Sequence, residues 1–228
     1  MAPYFEIVKS FADADIPVTD AGIPTAEFLE ASDGLVGMFD LLGTGIFSFV
    51  QADIKGNIHG VRTVFTSKPQ ECHTLERLVQ SEQGCRSKHG TGCLRRLLRG
   101  LLFTCRAWQD VRANPREEKF QPCFLRAYDS VLRHHHGLAI RTVVQAALHA
   151  CPNRRDFLLR IAQGGSQEKL DEELSRWLTG LDVFVRRMYG EILRGRRTRE
   201  DLIFISRLMS RIPLFCLDCL LDIHTLIQ

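Results

Sequence analysis

No run of about 18 consecutive apolar residues occurs in the chain, so no membrane-spanning helix is expected. The opening residues MAPYFEIVKS lack a charged segment followed by an apolar one, and no secretory signal is expected from them. Charge of one sign is missing too: 30 basic and 27 acidic residues leave a net charge of +3, too mild to suggest a nucleic-acid groove. Alternating strand patterns and Asn-Gly hairpin turns are absent, which excludes a mainly β fold. The Gly-x-Ser-x-Gly elbow, the phosphate-binding loop and the Gly-x-Gly-x-x-Gly turn are all missing. The chain therefore shows no activated nucleophile and no phosphate cradle, which speaks against an enzyme.

What is present is ordinary for a globular domain. Hydrophobic residues make up 45% of the 228 and charged residues 25%, which rules out a wholly disordered or fibrous chain. A chain of this length buries a sizeable core without disulfides. Its eight cysteines (72, 85, 93, 105, 123, 151, 216 and 219) are read as reduced thiols of a cytoplasmic protein, packed as small hydrophobes.

Helical periodicity dominates. Leu94, Leu97, Leu98, Leu101, Leu102, Cys105 and Trp108 recur at three- and four-residue steps, as do Leu125, Tyr128, Leu132, His136, Ile140, Val143 and Ala147. Leu174, Trp177, Leu178, Leu181, Phe184 and Met188 form a third stripe. Seven of the eight prolines lie between such segments. The spacing predicts helices over about 25–42, 46–66, 72–83, 91–112, 122–150, 154–163 and 168–194, with a tail helix after 199. The arginine-rich stretch around 194–199 precedes a shift to an apolar tail. Residues 1–197 are therefore assigned to one domain and 198–228 to a C-terminal tail of open status.

Four groups of residues could carry chemistry. Asp53, Asn57 and Gly60 share one face of the second helix, and Gly56 and Gly60 stand four apart. Each glycine costs a helix roughly 1 kcal/mol against alanine, so either a close helix crossing or a ligand must compensate. Arg95, Arg96 and Arg99 flank the leucine stripe, as a solvated basic face or as an anion or headgroup site. Trp108 reads as core. In His134-His135-His136 neighbouring side chains diverge, so no shared metal ion is expected. His136 fits the inward stripe and needs a polar partner, either a core group or a ligand. Cys216-x-x-Cys219 stands alone without a second pair, so no zinc or redox role is assigned.

Several stretches, taken together, resemble the glycolipid transfer protein family. They are TAEFLEASDGLVGMFDLLG (25–43), QADIKGNI (51–58), LLRGLLF (97–103), AYDSVLRHHHGL (127–138) and VQAALHACPNRRDFL (144–158). The resemblance implies an all-α, two-layer helical sandwich of about eight helices enclosing an apolar tunnel for one sphingolipid. It implies carriage of that lipid between membranes without covalent chemistry, metal or cofactor. By position, Asp53 matches the aspartate that accepts from the ceramide amide N–H and sugar hydroxyls. Asn57 matches the sugar-binding asparagine, and His136 the histidine that donates to the amide carbonyl. Arg99, Gly60 and Leu138 border these positions as secondary candidates.

Two departures bear on the substrate. The family's glycolipid binders stack the first sugar on a tryptophan where this chain has Arg96, and carry a lysine where it has Gly60. The ceramide-1-phosphate branch has arginine at the position of Arg96, but also a second arginine where Gly92 stands and a lysine where Asn57 stands. The expected partner is therefore a sphingolipid, glycosylceramide in preference to ceramide-1-phosphate, with a sensor that binds without transferring as the other alternative. A transient membrane surface is the second expected partner, nucleic acid is not, and the chain is expected to act as a monomer.

Overall fold

In the computed structural model the described residues are 4–12, 22–41 and 48–194. Regular structure among them is helical throughout: α1 (Tyr4–Ile7), α2 (Thr25–Asp40), α3 (Ser48–Ser67), α4 (Leu75–Ser81), α5 (His89–Ala113), α6 (Gln121–Val131), α7 (Leu138–His149), α8 (Arg154–Ala162) and α9 (Gln167–Arg194). Extended pairing among the described residues is limited to two isolated bridges, Pro24 with Thr74 and Lys119 with Asn153. Met1–Ile192 form one compact unit. The tail 198–228 and the boundary expected at 197/198 lie outside the described residues.

The leucine stripe explains why α5 is central. Leu94, Leu97, Leu98, Leu101, Leu102, Cys105 and Trp108 are all buried, and α5 packs against α3, α4 and α6. Burying a side chain of this size is worth about 1.5–3 kcal/mol. Two aromatic clusters close the interior. Phe28 stacks on Phe184 with centroids 5.0 Å apart, and Phe11 joins them at 5.6 Å from Phe184 and 6.0 Å from Trp177, tying α2 to α9. Trp108, Phe120 and Phe157 form the other cluster, with centroids 5.3–5.7 Å apart, between α5, α6 and α8. Edge and offset pairs of this kind add about 0.5–1.5 kcal/mol each. Cys72, Cys93, Cys105 and Cys123 sit in this interior as buried free thiols.

The helix starts depend on side chains that the apolar pattern does not show. Thr74 caps α4 by accepting from the Arg77 N–H at 3.2 Å. The Glu82 carboxylate, just beyond α4, accepts from the backbone N–H groups of Gly90 (2.9 Å) and Thr91 (2.6 Å) and from the Thr91 hydroxyl (2.6 Å). This cap comes from the preceding element, and α5 begins at His89 rather than near 91.

One expected helix is two. The pattern predicts a single helix over 122–150, but the chain breaks it between Val131 and Leu138. Arg133–His135 form a 3₁₀ turn, and His136 (φ −107°, ψ 130°) and Gly137 (φ −69°, ψ 169°) are extended. The guanidinium of Arg141 donates through Nε to the carbonyls of His136 (2.8 Å) and Arg133 (3.1 Å). The His136 carbonyl would otherwise lack the partner that a continuous helix gives it, while the Arg133 carbonyl also accepts from the His136 N–H at 3.3 Å. The apolar spacing through the break does not mark one buried stripe: Tyr128 and Ala147 are buried, whereas Ile140 and Val143 on α7 are exposed.

Candidate functional site

The site begins at the crossing of α3 and α5. Gly60 brings the two helices together: a β-carbon there would fall 3.1 Å from the Cβ of Cys93 and 3.1 Å from His89 Nε2, and onto the Cys93 sulfur. Gly60 is thus a crossing residue, as the glycine spacing allows. Gly56 is different, since a β-carbon there would meet nothing within 4 Å. Three residues before Gly60 on α3, and three after Cys93 on α5, stand Asn57 and Arg96. The close crossing lets them meet.

Asn57 is 5% exposed, and both ends of its amide are engaged. Its Nδ2 donates to the Asp53 carbonyl at 2.8 Å, and its Oδ1 accepts from Arg96 Nε at 2.8 Å. Arg96 also donates through a terminal nitrogen to the Cys93 sulfur at 3.3 Å, while the residue as a whole remains exposed. The Asp53 side chain is exposed and makes no hydrogen bond or ion pair among the described residues.

His136 completes the site from the break between α6 and α7. It is half-buried, and its Nδ1 lies 3.2 Å from the hydroxyl of Tyr128, which is 1% exposed. Burial pushes the His136 pKa below its ordinary value, the Asp53 carboxylate pulls it back up, and Arg141, His134 and Arg99 push it down. These influences place Asp53 on α3, Arg99 on α5 and Arg141 on α7 within electrostatic reach of one imidazole. The imidazole is therefore neutral at pH 7, with one ring nitrogen a donor and the other an acceptor.

Asp53, Asn57, Arg96, Arg99 and His136 are thus brought together, with Gly60 beneath them as the crossing. Leu138 does not join the polar group. It is 80% exposed at the start of α7, with Ile140 and Val143 on the same helix also exposed. Three contributors were not foreseen: Tyr128, Cys93 and Arg141. In a continuous helix Tyr128 and His136, eight residues apart, would stand about 12 Å apart along the axis. Only the break folds them onto each other.

Residues 23–163 match the family model described as Glycolipid transfer protein (GLTP). A glycolipid transfer protein of Aureobasidium melanogenum is 35% identical over 184 residues, covering 80% of this chain and 89% of that one. Among solved structures, HET-C2, a fungal glycolipid transfer protein, matches with a TM-score of 0.75 at 34% identity, covering 87% of this chain and 98% of that one. Human ceramide-1-phosphate transfer protein in complex with 12:0 ceramide-1-phosphate matches with a TM-score of 0.73 at 19% identity, covering 85% and 97%. At that identity the likeness is one of fold. Helix order, a family match over most of the chain and a relative at 35% identity converge: the chain belongs to the glycolipid transfer protein family and has its all-α, two-layer fold.

Proposed function

We propose that this protein takes one sphingolipid from a membrane surface and delivers it to another, with glycosylceramide favoured over ceramide-1-phosphate. The observation that carries the reading is the Asp53 carboxylate on α3, without a side-chain partner among the described residues, within electrostatic reach of the His136 imidazole from the α6–α7 break. A secondary amide offers an N–H to an acceptor and a carbonyl to a donor. Asp53 is the acceptor, His136 the donor, and an ester lipid lacks the N–H. The fungal relatives at 34–35% identity are named glycolipid transfer proteins, whereas the ceramide-1-phosphate carrier is 19% identical.

Energetics explain why so few residues decide the substrate. Moving acyl chains from a bilayer into an apolar interior exchanges one oily environment for another, so the term of about 0.8 kcal/mol per CH₂ largely cancels. Headgroup hydrogen bonds then set the preference, at about 1.5–3 kcal/mol each when charge-assisted. A phosphate would gain Arg96, but that guanidinium already holds Asn57 and Cys93. It would also face the open charge of Asp53, and Gly92 supplies no second arginine. A sugar meets no such repulsion, and its hydroxyls can both accept from Arg96 and donate to Asp53.

Delivery on this reading needs no covalent chemistry, and the protein acts in the cytoplasm with transient membrane contact. No described helix is long and apolar enough to cross a membrane, while Leu138, Ile140 and Val143 offer exposed apolar surface on α7. Ceramide-1-phosphate is the second reading, favoured by the cation at position 96. Vesicle-to-vesicle transfer of fluorescent galactosylceramide, ceramide-1-phosphate and phosphatidylcholine separates them. Galactosylceramide should move fastest and phosphatidylcholine hardly at all. Equal movement of all three would sink the reading, and faster ceramide-1-phosphate would reverse the headgroup choice.

A further inference from the structure

The geometry points to Tyr128 as a positioning residue that fixes His136 in the tautomer with the proton on Nε2, leaving that N–H to face the lipid carbonyl. The inference rests on the proposed function and adds a residue to it. Tyr128 lies on α6, outside the crossing of α3 and α5, and has no contact with a headgroup to recommend it.

The argument is one of hydrogen-bond accounting. The Tyr128 phenol is buried, and burial raises its pKa, so it stays protonated at neutral pH. A buried O–H needs an acceptor. Among the described residues the Tyr128 hydroxyl has one hydrogen-bond partner, Nδ1 of His136 at 3.2 Å. If Nδ1 carried the imidazole proton, the phenol would have to accept, and its own proton would be buried without a partner at a cost of about 1–3 kcal/mol. If Nδ1 is bare, the phenol donates to it and both groups are satisfied. A neutral imidazole with a bare Nδ1 carries its proton on Nε2. Nε2 has no hydrogen bond among the described residues, so its N–H is left for a ligand.

The backbone supports the same arrangement. Arg141 clamps the His136 carbonyl at 2.8 Å, fixing the extended residue whose side chain Tyr128 orients. The rings of Tyr128 and His136 sit 5.7 Å apart at 40°, a tilted packing that restrains imidazole rotation. Without the phenol O–H the two tautomers would compete, and the Nδ1–H form would present a bare nitrogen to a carbonyl oxygen.

The test has two parts. In the lipid-free, unmodified protein at pH 7.5, ¹⁵N NMR of the His136 ring should show a pyridine-type Nδ1 and a pyrrole-type Nε2. An Nδ1–H tautomer would overturn the inference outright, with no variant needed. In Tyr128→Phe both ¹⁵N shifts should move toward their average, and galactosylceramide transfer between phosphatidylcholine vesicles should fall about five- to tenfold, the value of one net hydrogen bond. Unchanged shifts with unchanged transfer would also overturn it. If Tyr128→Phe folds poorly by circular dichroism, the spectrum of the unmodified protein decides. His136→Leu separates this inference from the reading beneath it. Normal transfer by that variant removes the carbonyl donor from the proposed function, whatever the tautomer. Lost transfer together with an Nδ1–H tautomer removes only the part assigned to Tyr128.

Discussion

Arg96 holds Asn57 across the α3–α5 crossing, with Nε 2.8 Å from Oδ1, and the Asp53 carboxylate one turn earlier on α3 makes no ion pair among the described residues. An Arg96–Asp53 ion pair would have forced a neutral sugar to compete with two opposite charges. The observed pairing leaves that acceptor without an ion pair among the described residues, and it puts a planar guanidinium at the position where the family's glycolipid binders carry an indole. Arginine can stack that plane on a sugar and still donate hydrogen bonds, though over a smaller apolar face than tryptophan offers.

Arg96→Trp should therefore raise glycolipid transfer about three- to tenfold, the value of an aromatic stacking contact. It should lower any ceramide-1-phosphate transfer. It also strips Asn57 Oδ1 of its partner in a buried setting, so the lipid-free variant should be less stable by about 1–3 kcal/mol. Transfer assays with both lipids and thermal unfolding check the two halves. Lower glycolipid transfer alongside a folded variant would reject the assignment of Arg96 to the headgroup.

Asp53→Val should abolish lipid uptake while leaving the helices intact. Because the side chain is exposed and makes no hydrogen bond or ion pair among the described residues, its loss should change folding stability by no more than about 0.5 kcal/mol. Circular dichroism and vesicle transfer measured on one sample separate function from fold. Normal transfer would show that the acceptor lies elsewhere.

Much of this site was legible from residue types and spacing, and part of it was not, for physical reasons. The stripes on α5 and α9 are buried as their periodicity predicts, because a 3.6-residue repeat of leucine and aromatic residues has few other ways to hide. Asp53 and Asn57 fall on one helix face by the same arithmetic. The break before His136 was not legible, since it depends on the Arg141 guanidinium bonding carbonyls five and eight residues earlier. The one-turn α1 escaped as well. It is held by contacts distant in sequence: Tyr4 donates to the Gly34 carbonyl at 2.6 Å, and Glu6 pairs with Lys169 at 2.7 Å. The partner of His136 could be a core group or a ligand by sequence. The structure shows the core group, with Nδ1 3.2 Å from the Tyr128 hydroxyl, while Nε2 makes no hydrogen bond among the described residues.

His136 should titrate below the ordinary histidine value of about 6.5, because burial disfavours its charged form. Asp53→Asn removes the one charge that raises it and should shift the midpoint further down, whereas Arg99→Gln should shift it up. The sign for stability follows. A histidine with a depressed folded-state pKa stabilises the fold in its neutral form, a contribution present above about pH 6.5 and lost as pH falls through and below that value. His136→Gln should flatten this part of the pH–stability curve. Proton NMR titration of the ring checks the midpoints, and a downward shift that fails to appear in Asp53→Asn would separate the two residues.

Leu138→Glu should weaken membrane docking and leave the headgroup site unaltered. Leu138 is 80% exposed at the start of α7 and outside the polar group. Moving a leucine from water into the interface is worth about 1.5–3 kcal/mol at full burial, and a carboxylate reverses that gain. Vesicle co-sedimentation should fall at least several-fold, while binding of a short-chain glycosylceramide in solution stays within twofold. A matching loss in both measurements would mean that Leu138 contacts the lipid itself.

Gly60→Ala should be the most disruptive small change in the site, although it touches no proposed ligand contact. Its β-carbon would have to displace Cys93, whose own Cβ is fixed to the backbone of α5, so α3 and α5 must separate. Overpacking of this kind costs about 1–3 kcal/mol. The separation also lengthens the Asn57–Arg96 hydrogen bond one turn along the same face, so lipid transfer should fall together with stability. Gly60→Lys, which would reinstate the cation that the family's glycolipid binders carry, should behave the same way and fail to enhance transfer. Gly56→Ala is the control: a β-carbon there meets nothing within 4 Å, and alanine is the better helix former by roughly 1 kcal/mol, so that variant should be more stable. Thermal unfolding of the three variants ranks them, and a Gly60→Ala protein as stable as the original would show that α3 and α5 can part here without cost.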